Sequence, residues 1–507
     1  MMSLTKWKKV QVIFLLSAAT VMVAHAQTFT VLADLDQSEG SFPDFARLVQ
    51  GVDGNLYGTT QEGGAYNSGT VFRITLDGTL TKIYDFCSQE NCGDGNTPSS
   101  IILGTDGNFY GTTVGYTLGP CGANCGTVFK ITPSGELTTL YTFSGGIDGY
   151  MPYGGVVQAT DGNFYGTTEF SQNGNETFYG TVFRVTPQGR LTTLYTFGTF
   201  GDQGQQSLGQ QPLGGLIQAA DGRLYGTTFV GGSNPDLCGY WRGCGTIYRT
   251  TLAGTLETVH NFQYTDGANP EAGLIQGVDG NLYGTTLQGG LGPCDSGCGT
   301  AFSITTLGAL TTLHFFQGSY NYYDGCTTAR YCLDGDNPYA PLTQGTDGSF
   351  YGTAAWGGAF GKGMIFEIMS TGSLVTLHSF RLDETEGFFI QSGILQATNG
   401  TFYGTASAGG MFNCSSGCGT VFAVNTGLGP FVAFVQAAGK VGQTAQILGQ
   451  GFTGTASVSF NGIPASFTVV SDTYVTATVP SGATTGYVTV TTLSGTLTSN
   501  VPFHVLK

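Results

Sequence analysis

The sequence predicts an all-β protein, a seven-bladed β-propeller followed by a small β-sandwich. Tyr-Gly-Thr recurs at intervals of 52 to 68 residues, at Tyr57, Tyr110, Tyr165, Tyr225, Tyr283, Tyr351 and Tyr403. Such an interval suits four short strands and their turns, and a unit of this kind buries its apolar face only against its neighbours. After the N-terminal segment no 3.6-residue apolar period is sustained, which predicts almost no helix. The repeat stops near Gly429, where a stretch rich in Val, Thr and Gly begins.

Each repeat contains four segments rich in Thr, Val, Ile, Tyr and Phe, separated by Gly or Asp-Gly, which is the composition of strands and turns. Segments of the third type occur seven times, the last at 419–425, and no segment of the fourth type follows it. A lone segment of the fourth type lies instead at 28–35. We therefore expect the N-terminal strand to complete the last blade and close the ring, which leaves no unpaired edge inside it.

The N-terminal residues 1–26 have the pattern of a secretory signal, with a lysine-rich start, an apolar run at 10–23 and small residues at 24–26. The predicted organisation is a signal peptide at 1–26, the propeller at 27–428 and the sandwich at 429–507. We expect an exported chain that is secreted, periplasmic or at the cell surface, with no membrane span after the signal. Loss of three lysines and no acid moves the net charge from −16 to −19, which disfavours nucleic acid as a partner.

Twelve cysteines form six near-neighbour pairs, namely Cys87/Cys92, Cys121/Cys125, Cys238/Cys244, Cys294/Cys298, Cys326/Cys332 and Cys414/Cys418. An even count, local spacing and an export signal together predict disulfides. A loop this small gains about 2 kcal/mol from its bridge in the chain-entropy model. The alternative, a metal site, needs Cys-x-x-Cys or histidines at ligand spacing, which the sequence lacks, so no metal site is predicted from the cysteines.

The propeller topology sorts the loops into two faces. The loops between strands two and three share one face with the blade-to-blade connections, and all six cysteine pairs lie there. We call this the long-loop face, because the turns on the opposite, short-turn face are brief Asp-Gly or Ser-Gly pairs. Long loops on a rigid scaffold commonly bind ligands. The alternative is that disulfides cross-link the long loops only to keep them stable outside the cell.

An acidic turn of the form Asp-Gly-x-x-Pro recurs in the blade connections, at Asp94, Asp148, Asp266 and Asp334. Because these connections lead toward the central channel, the carboxylates are expected to ring its mouth and attract Ca²⁺ or another cation. The alternative is a simple turn whose carboxylate accepts local backbone hydrogen bonds. The turn is favoured because no Asp-x-Asp-x-Asp cluster occurs, so no cofactor is predicted and Ca²⁺ is the alternative.

Aromatic side chains on the same loops are candidates for stacking against sugar rings: Tyr66, Tyr240, Trp241, Trp356 and Phe412, with Phe170 and Phe360 beside them. Trp241 lies inside the Cys238/Cys244 loop, where burial is difficult, and is the principal candidate. The alternative is that these rings pack across the loops as local cores.

No catalytic residue is predicted. His260, His314 and His378 occupy a fourth-strand position that is tyrosine in other blades, so we interpret them as structural. The sequence has no Gly-x-Ser-x-Gly elbow, His-Glu-x-x-His motif or phosphate loop. Carboxylates from separate blades can still converge as a glycoside-hydrolysing pair, but no pair stands out.

Two parts of the chain each resemble a known family. The phrases GQTAQILGQGF at 442–452, VSFNG at 458–462 and ATVP at 477–480 resemble the IPT/TIG immunoglobulin-like family, which implies an immunoglobulin-like β-sandwich acting as spacer or interaction module. The recurring Asp-Gly-Asn-(Leu/Phe)-Tyr-Gly-Thr-Thr and Gly-Thr-Val-Phe-(Arg/Lys)-Ile-Thr over 28–425 resemble the GloVer tandem repeats of exported bacterial proteins. That resemblance implies no particular activity. A more distant similarity, to the propeller lyases that inactivate streptogramins, concerns the Asp-Gly-Asn strand alone.

We therefore expect an exported, non-enzymatic binding scaffold whose ligand, a glycan or a cell-surface protein, contacts the long-loop face. The alternative is a carbohydrate-active or lyase-type enzyme with acidic residues at the channel mouth, and a structural envelope component is a third hypothesis. A strongly perturbed carboxyl group inside a deep channel would favour the enzyme. A flat, aromatic-lined loop face would favour the binding protein.

Overall fold

The computed structural model describes residues 27–44, 47–115, 125–174, 176–198, 208–232, 238, 243–292, 294, 296–318, 334–412, 414 and 417–506. These residues form strands and turns, with a 3-10 turn at Glu90–Cys92 and no α-helix. None of their helical segments is long and apolar enough to cross a bilayer. The predicted signal at 1–26 lies outside the described residues.

Seven four-stranded antiparallel sheets lie between 28 and 425 in the described part of the chain, and each is one blade. The strands are, from the first to the fourth: blade 1, Val49–Gln50, Leu56–Thr60, Thr70–Ile74 and Leu80–Asp85; blade 2, Pro98–Leu103, Phe109–Thr113, Thr127–Ile131 and Leu137–Thr142; blade 3, Val156–Gln158, Phe164–Thr168, Thr181–Val185 and Leu191–Thr196; blade 4, Ile217–Gln218, Leu224–Thr228, Thr246–Thr250 and Leu256–Asn261; blade 5, Ile275–Gln276, Leu282–Thr286, Thr300–Ile304 and Leu310–Phe315; blade 6, Thr343–Gln344, Phe350–Ala354, Met364–Ile368 and Leu374–Ser379; blade 7, Leu395–Gln396, Phe402–Ala406, Thr420–Asn425 and Thr28–Asp34. The prediction of an all-β propeller is confirmed.

The fourth strand of blade 7 comes from the N-terminus of the chain. Thr28–Asp34 pairs antiparallel with Thr420–Asn425, with Thr30 opposite Ala423. The ring of Phe29 stacks on His378 of blade 6, with centroids 3.7 Å apart. The two ends of the repeat array are therefore joined by backbone pairing and by a ring contact with the preceding blade.

A glutamine at the end of the first strand ties each of six blades to the one before it. The side-chain oxygen of Gln158 accepts a hydrogen bond from the backbone N–H of Thr105 at 2.8 Å. The same bond is made by Gln218, Gln276, Gln344 and Gln396. Gln50 accepts from Thr398 N–H at 2.9 Å, so this bond also links blade 7 to blade 1.

The Tyr-Gly-Thr phrase packs the blades against each other. The Tyr57 hydroxyl donates to Asp53 at 2.9 Å, and its ring lies 4.2 Å from that of Phe109 in the next blade. At Gly58 an added Cβ would lie 2.6 Å from the ring of Phe72, so only glycine leaves room for that ring. Buried apolar clusters accordingly lie between neighbouring blades, where stacked aromatic rings add to the stabilisation by burial.

The C-terminal domain is a sandwich of two four-stranded sheets, one containing Ala433–Phe434, Thr444–Leu448, Tyr474–Thr478 and Phe467–Ser471, the other Ile463–Ala465, Ser457–Phe460, Val488–Thr492 and Gly495–Thr498. Ala438–Lys440 pairs in parallel with His504–Leu506 at one edge. Between the sheets lies a fully buried core that includes Ile447, Phe460, Val475 and Phe503.

The sandwich lies against the short-turn face of the propeller. Gln446 donates to the carbonyl oxygen of Thr105 at 2.9 Å, and Thr473 donates to that of Val52 at 2.8 Å. The backbone N–H of Phe431 donates to Thr398 O at 3.0 Å. All three propeller acceptors lie in turns between first and second strands, so the sandwich covers that end of the central channel.

Candidate functional site: the central channel

A cavity of about 750 Å³ occupies the centre of the ring. Its walls come from the first strands of the blades and the residues before them, and Ala433, Phe434, Val435 and Leu448 of the sandwich line one end. The volume is within the usual range for small-molecule sites. The channel is therefore a pocket with its floor on the sandwich and its mouth on the long-loop face.

The connections between blades, which lead to this mouth, share one backbone conformation. A positive φ of 51° to 59° occurs at the residue before the recurring proline, or before Ile390 where proline is absent, namely at Phe42, Thr97, Met151, Gln211, Asn269, Asn337 and Phe389. Thr97 N–H donates to Ser68 O of the preceding blade at 2.9 Å, and Thr97 O accepts from Val114 N–H of its own blade at 3.0 Å. Bonds to two blades hold a conformation that by itself costs about 1–3 kcal/mol.

The position that follows the proline, or Ile390, is different in nearly every blade. It is occupied by Asp44, Ser99, Tyr153, Leu213, Glu271, Tyr339 and Gln391. The last five of these line the cavity. The surrounding turn repeats while this position varies, so in these five blades it supplies apolar, phenol, carboxyl and amide groups to the channel mouth. We call these five residues the mouth residues.

Two carboxyl groups at the mouth have strongly raised pKa values. Burial raises the pKa of Glu169 to about 7, although Gln211 donates a hydrogen bond to its carboxylate at 3.1 Å. Burial, and then the charge of Glu169, raises the pKa of Glu271 to about 7. Burial and the nearby Glu271 and Asp336 raise the pKa of Tyr339 to about 12. Near neutral pH the two glutamates can therefore donate as well as accept protons.

These two glutamates were not among the predicted site residues. Glu169 follows the second strand of blade 3, and Glu271 precedes the first strand of blade 5, so only the closed ring brings them together. A signal did exist in the sequence. Glu271 takes a repeat position that is Tyr, Leu or Gln elsewhere, and such variation within a repeat marks a position that the fold does not need.

The predicted acidic ring has a different location. Asp94, Asp148, Asp266 and Asp334 each bond to a fourth-strand side chain, in the pairs Tyr84–Asp94 at 2.8 Å, Tyr141–Asp148 at 2.9 Å, His260–Asp266 at 2.9 Å and His314–Asp334 at 2.9 Å. None of the four lines the cavity. Fourth strands are the outermost strands of their blades. The prediction of a carboxylate ring at the channel mouth is therefore wrong, because these carboxylates lie at the periphery and bind fourth-strand side chains.

Local hydrogen bonds also account for the carboxylates of these turns better than a Ca²⁺ site does. Backbone N–H groups of Ser88 and Ser144 donate to Asp94 and Asp148 at 3.0 and 2.7 Å. In the connection before blade 7, Glu386 replaces aspartate and bonds to His378 at 3.0 Å. The three histidines thus share one role with the tyrosines of other blades, as partners of a turn carboxylate.

The aromatic candidates do not converge on one site among the described residues. Tyr66 and Phe412 are 54% and 49% exposed at loop tips, and other loops of the long-loop face also expose apolar side chains, namely Ile147, Leu291, Phe360 and Met411. Trp356 instead packs on Phe389, with ring centroids 4.9 Å apart, and Phe170 stacks on Tyr150. Tyr240 and Trp241 lie outside the described residues.

The predicted cysteine pairs are disulfides wherever both members are described, at Cys87–Cys92, Cys238–Cys244, Cys294–Cys298 and Cys414–Cys418. Cys125 is also disulfide-bonded, while Cys121, Cys326 and Cys332 lie outside the described residues. Within the described ranges, Asp336 lies close to Cys294 and Cys298. Because those cysteines are bonded to each other, they have no thiolate to offer a metal.

The comparisons with known proteins agree with this architecture. The family model described as Gloeobacter/Verrucomicrobia repeat matches residues 17–234 and 199–422, and the IPT/TIG domain model matches 430–505. The comparison with curated proteins finds no match.

Similar solved structures include a virginiamycin B lyase from Staphylococcus aureus, at 15% identity over 79% of this chain and 99% of that one, with a TM-score of 0.49. A fungal alcohol oxidase of the AA5 family in complex with copper is 13% identical over 95% and 99%, also with a TM-score of 0.49. A GH74 enzyme from Niastella koreensis is 14% identical over 83% and 59%, with a TM-score of 0.48. We draw no conclusion about activity from likenesses this distant. On the family matches, the chain belongs to the Gloeobacter/Verrucomicrobia repeat family and carries a C-terminal IPT/TIG domain.

Proposed function

We propose that this protein is an exported binding scaffold that takes a small organic ligand into the central channel from the long-loop face. The observation that carries the proposal is the cavity of about 750 Å³ with a floor formed by the IPT/TIG domain and a mouth of varied side chains. The predicted signal at 1–26 and the disulfides on the long loops support export.

The lining of the channel indicates the kind of ligand. The walls are mainly apolar, with side chains such as Leu48, Ile101, Leu216, Leu274 and Leu395, whereas the mouth offers carboxyl, hydroxyl and amide groups. A sugar placed deep in the channel would leave hydroxyls without partners, which is costly. A molecule with an apolar body and a polar end fits both zones.

A binding test can use a neutral apolar dye, N-phenyl-1-naphthylamine, whose fluorescence rises on transfer from water. We expect saturable binding to the full chain and its loss in Leu213→Trp, because this mouth residue lines the cavity and the larger ring narrows the entrance. The matched control is Leu307→Trp, at a position 90% exposed on the short-turn face. Binding that survives Leu213→Trp unchanged would place the dye elsewhere and overturn the proposal.

The exposed loop tips favour a second candidate, a glycan or cell-surface protein bound outside the channel. Tyr66 and Phe412 present exposed rings that suit stacking on sugars. The test is a glycan array with and without Ca²⁺, comparing the native chain with a Tyr66→Ala, Phe412→Ala double variant. Signals that the double variant abolishes support the loop tips, whereas signals that Leu213→Trp abolishes assign the glycan to the channel.

The paired glutamates favour the enzymatic alternative. Glu169 and Glu271 each have a pKa raised to about 7, and a carboxyl group with a pKa near the operating pH can act as a general acid or a general base. Once a ligand is identified by binding, incubation followed by mass spectrometry tests for turnover. Conversion by the native chain, with binding kept but conversion lost in Glu271→Gln, would make the protein an enzyme. Unchanged ligand in both would leave it a binding protein.

A further inference from the structure

Arg47 is the single basic side chain among the described residues that line the channel. It lies two residues before the first strand of blade 1, so its position in the wall follows from the fold. Burial lowers the pKa of its guanidinium to about 10, which still leaves the group positively charged at neutral pH. The channel therefore contains one fixed cation in a mainly apolar wall.

This guanidinium has no protein counter-charge among the described residues. None of their ion pairs includes Arg47, in contrast to Arg249, which pairs with Glu257 at 2.8 Å. The buried Nε of Arg47 has no hydrogen-bond partner there either. The residue as a whole is half-buried, so its unpaired charge costs less than the several kcal/mol of a fully buried ion, and an anionic group placed against it would offset that smaller penalty.

The acidic residues of the channel do not supply that anion. Glu169 bonds to Gln211 just before blade 4, Glu271 follows blade 4, and in a ring of seven blades blade 4 lies across the channel from blade 1. Asp44, a buried carboxyl three residues before Arg47, forms no ion pair with it, and burial lowers the Arg47 pKa. The channel is thus electrostatically two-sided, with a cation on one wall and two glutamates on the other.

We propose that the channel ligand is an amphipathic organic acid, whose ionised acid group binds the guanidinium of Arg47 while its apolar body lies along the inner strands. The inference rests on the proposed function, since it names the ligand class of the same pocket. The planar guanidinium can donate two parallel hydrogen bonds to the two oxygens of an acid group. Leu48 and Phe434 are among the apolar side chains available to the body of the ligand.

The test is isothermal titration calorimetry of the full chain with dodecanoate and with dodecan-1-ol, which differ in the charged head. We expect dodecanoate to bind about tenfold or more tightly than the alcohol, the difference that one hydrogen-bonded charge supplies. Arg47→Met should abolish this preference, and Arg47→Lys should keep part of it. Arg184→Met is the matched control, because Arg184 also has a buried, unpartnered Nε but does not line the cavity.

A structural readout accompanies the titration. If Arg47 is an unpaired cation, Arg47→Met should unfold at the same temperature as the native chain or higher in the absence of ligand. Equal affinity of the native chain for acid and alcohol, or a preference that survives Arg47→Met, would overturn this inference. The proposal that the channel binds a small organic ligand would still stand. If neither compound nor the neutral dye binds, the channel proposal itself fails.

Discussion

At the scale of single residues, the residue before the recurring proline is the most constrained position in each repeat. All seven have φ between 51° and 59°, yet their side chains range from Asn to Phe and Thr. Asparagine adopts this left-handed conformation more easily than other non-glycine residues, and β-branched residues adopt it least easily. The backbone bonds to two blades therefore impose the conformation whatever residue is present.

Thr97 should be the most strained of the seven, because it is the β-branched member of the set. We expect Thr97→Asn to raise the free energy of unfolding by about 1 kcal/mol, since Asn fits the left-handed region at two equivalent positions, Asn269 and Asn337. Urea denaturation measures the change. Thr97→Val, which stays β-branched, should give no gain, and a similar gain in both variants would contradict the explanation.

Glu271 should make stability depend on pH. Its pKa is near 4.5 in the unfolded chain and about 7 in the folded one, so between these values the folded state binds more protons. Stability therefore falls as the pH rises from about 4.5 to 7. Glu169, Tyr153, Tyr339 and, across the channel, Arg47 are the other titratable groups that line the same cavity.

We expect Glu271→Gln to raise the free energy of unfolding more at pH 8 than at pH 5, by an amount no larger than about 3 kcal/mol. Water in the channel solvates the carboxylate, so the expected difference in unfolding free energy is smaller than this limit. Denaturation at the two pH values provides the measurement. Glu257→Gln is the control, because that exposed carboxylate has a lowered pKa and pairs with Arg249. An equal effect of Glu271→Gln at both pH values would contradict the assignment.

At this scale the sequence predicted scaffold residues better than site residues. Tyr-Gly-Thr, the Asp-Gly turns and the cysteines repeat, and repetition identifies positions that the fold needs. Glu169, Glu271 and Arg47 are not repeated at the equivalent positions of the other blades. They share one channel only because seven blades close around one axis. Asp94 and its equivalents were placed at the channel because the connection runs inward, whereas its first residue still bonds to the outer strand.

At the scale of elements, the N-terminal strand joins the two ends of the ring. Phe29 stacks on His378 and contacts the rings of Phe380 and Phe422, both with centroids 5.5 Å away. This side chain links blade 7, of which its own strand is part, to blade 6. The strand is thus held by packing as well as by the ladder to Thr420–Asn425.

We expect Phe29→Ala to lower the free energy of unfolding by about 2–3 kcal/mol, somewhat less than for a fully buried phenylalanine. Thr30→Ala on the same strand is the control, since Thr30 is exposed and should change stability by under about 0.5 kcal/mol. Thermal unfolding followed by circular dichroism compares the two. Equal losses would mean that backbone pairing alone holds the strand.

Strand prediction succeeded where the apolar pattern was strong. In the C-terminal domain the sequence predicts strands at 444–448, 456–460, 466–470, 474–479, 486–492 and 501–505, and the first and fourth agree closely with Thr444–Leu448 and Tyr474–Thr478. Ala433–Phe434, Ile463–Ala465 and Gly495–Thr498 were not predicted. They are two to four residues long, too short for the alternation of apolar and polar residues to stand out.

At the scale of the whole molecule, the IPT/TIG domain forms part of the pocket. Its role as spacer was expected from the sequence, but its residues Phe434 and Leu448 line the channel floor. The docking includes single hydrogen bonds to turns of the propeller, such as that from Thr473 to Val52. Such contacts leave no periodic apolar pattern, so the sequence could not predict which face the domain covers.

Thr473→Arg should separate the two domains, because Thr473 also lies against Gly54, where a longer side chain has no room. We expect faster cleavage in limited proteolysis at the junction 426–430 and weaker binding of N-phenyl-1-naphthylamine through loss of the floor. Thr468→Arg, at an exposed position of the same domain, should behave like the native chain. Native cleavage rates in Thr473→Arg would argue that the floor does not depend on this contact.

The mouth residues have a consequence for how such proteins diversify. In five of the seven blades the side chain at this position lines the channel, while glutamine bonds, ring stacking and hydrogen bonds in the turns hold the blades together elsewhere. A substitution at a mouth residue therefore leaves the contacts between blades unchanged, and a change of ligand would need few mutations. These interchangeable positions amount to a combinatorial library, from which selection can draw new specificities one blade at a time.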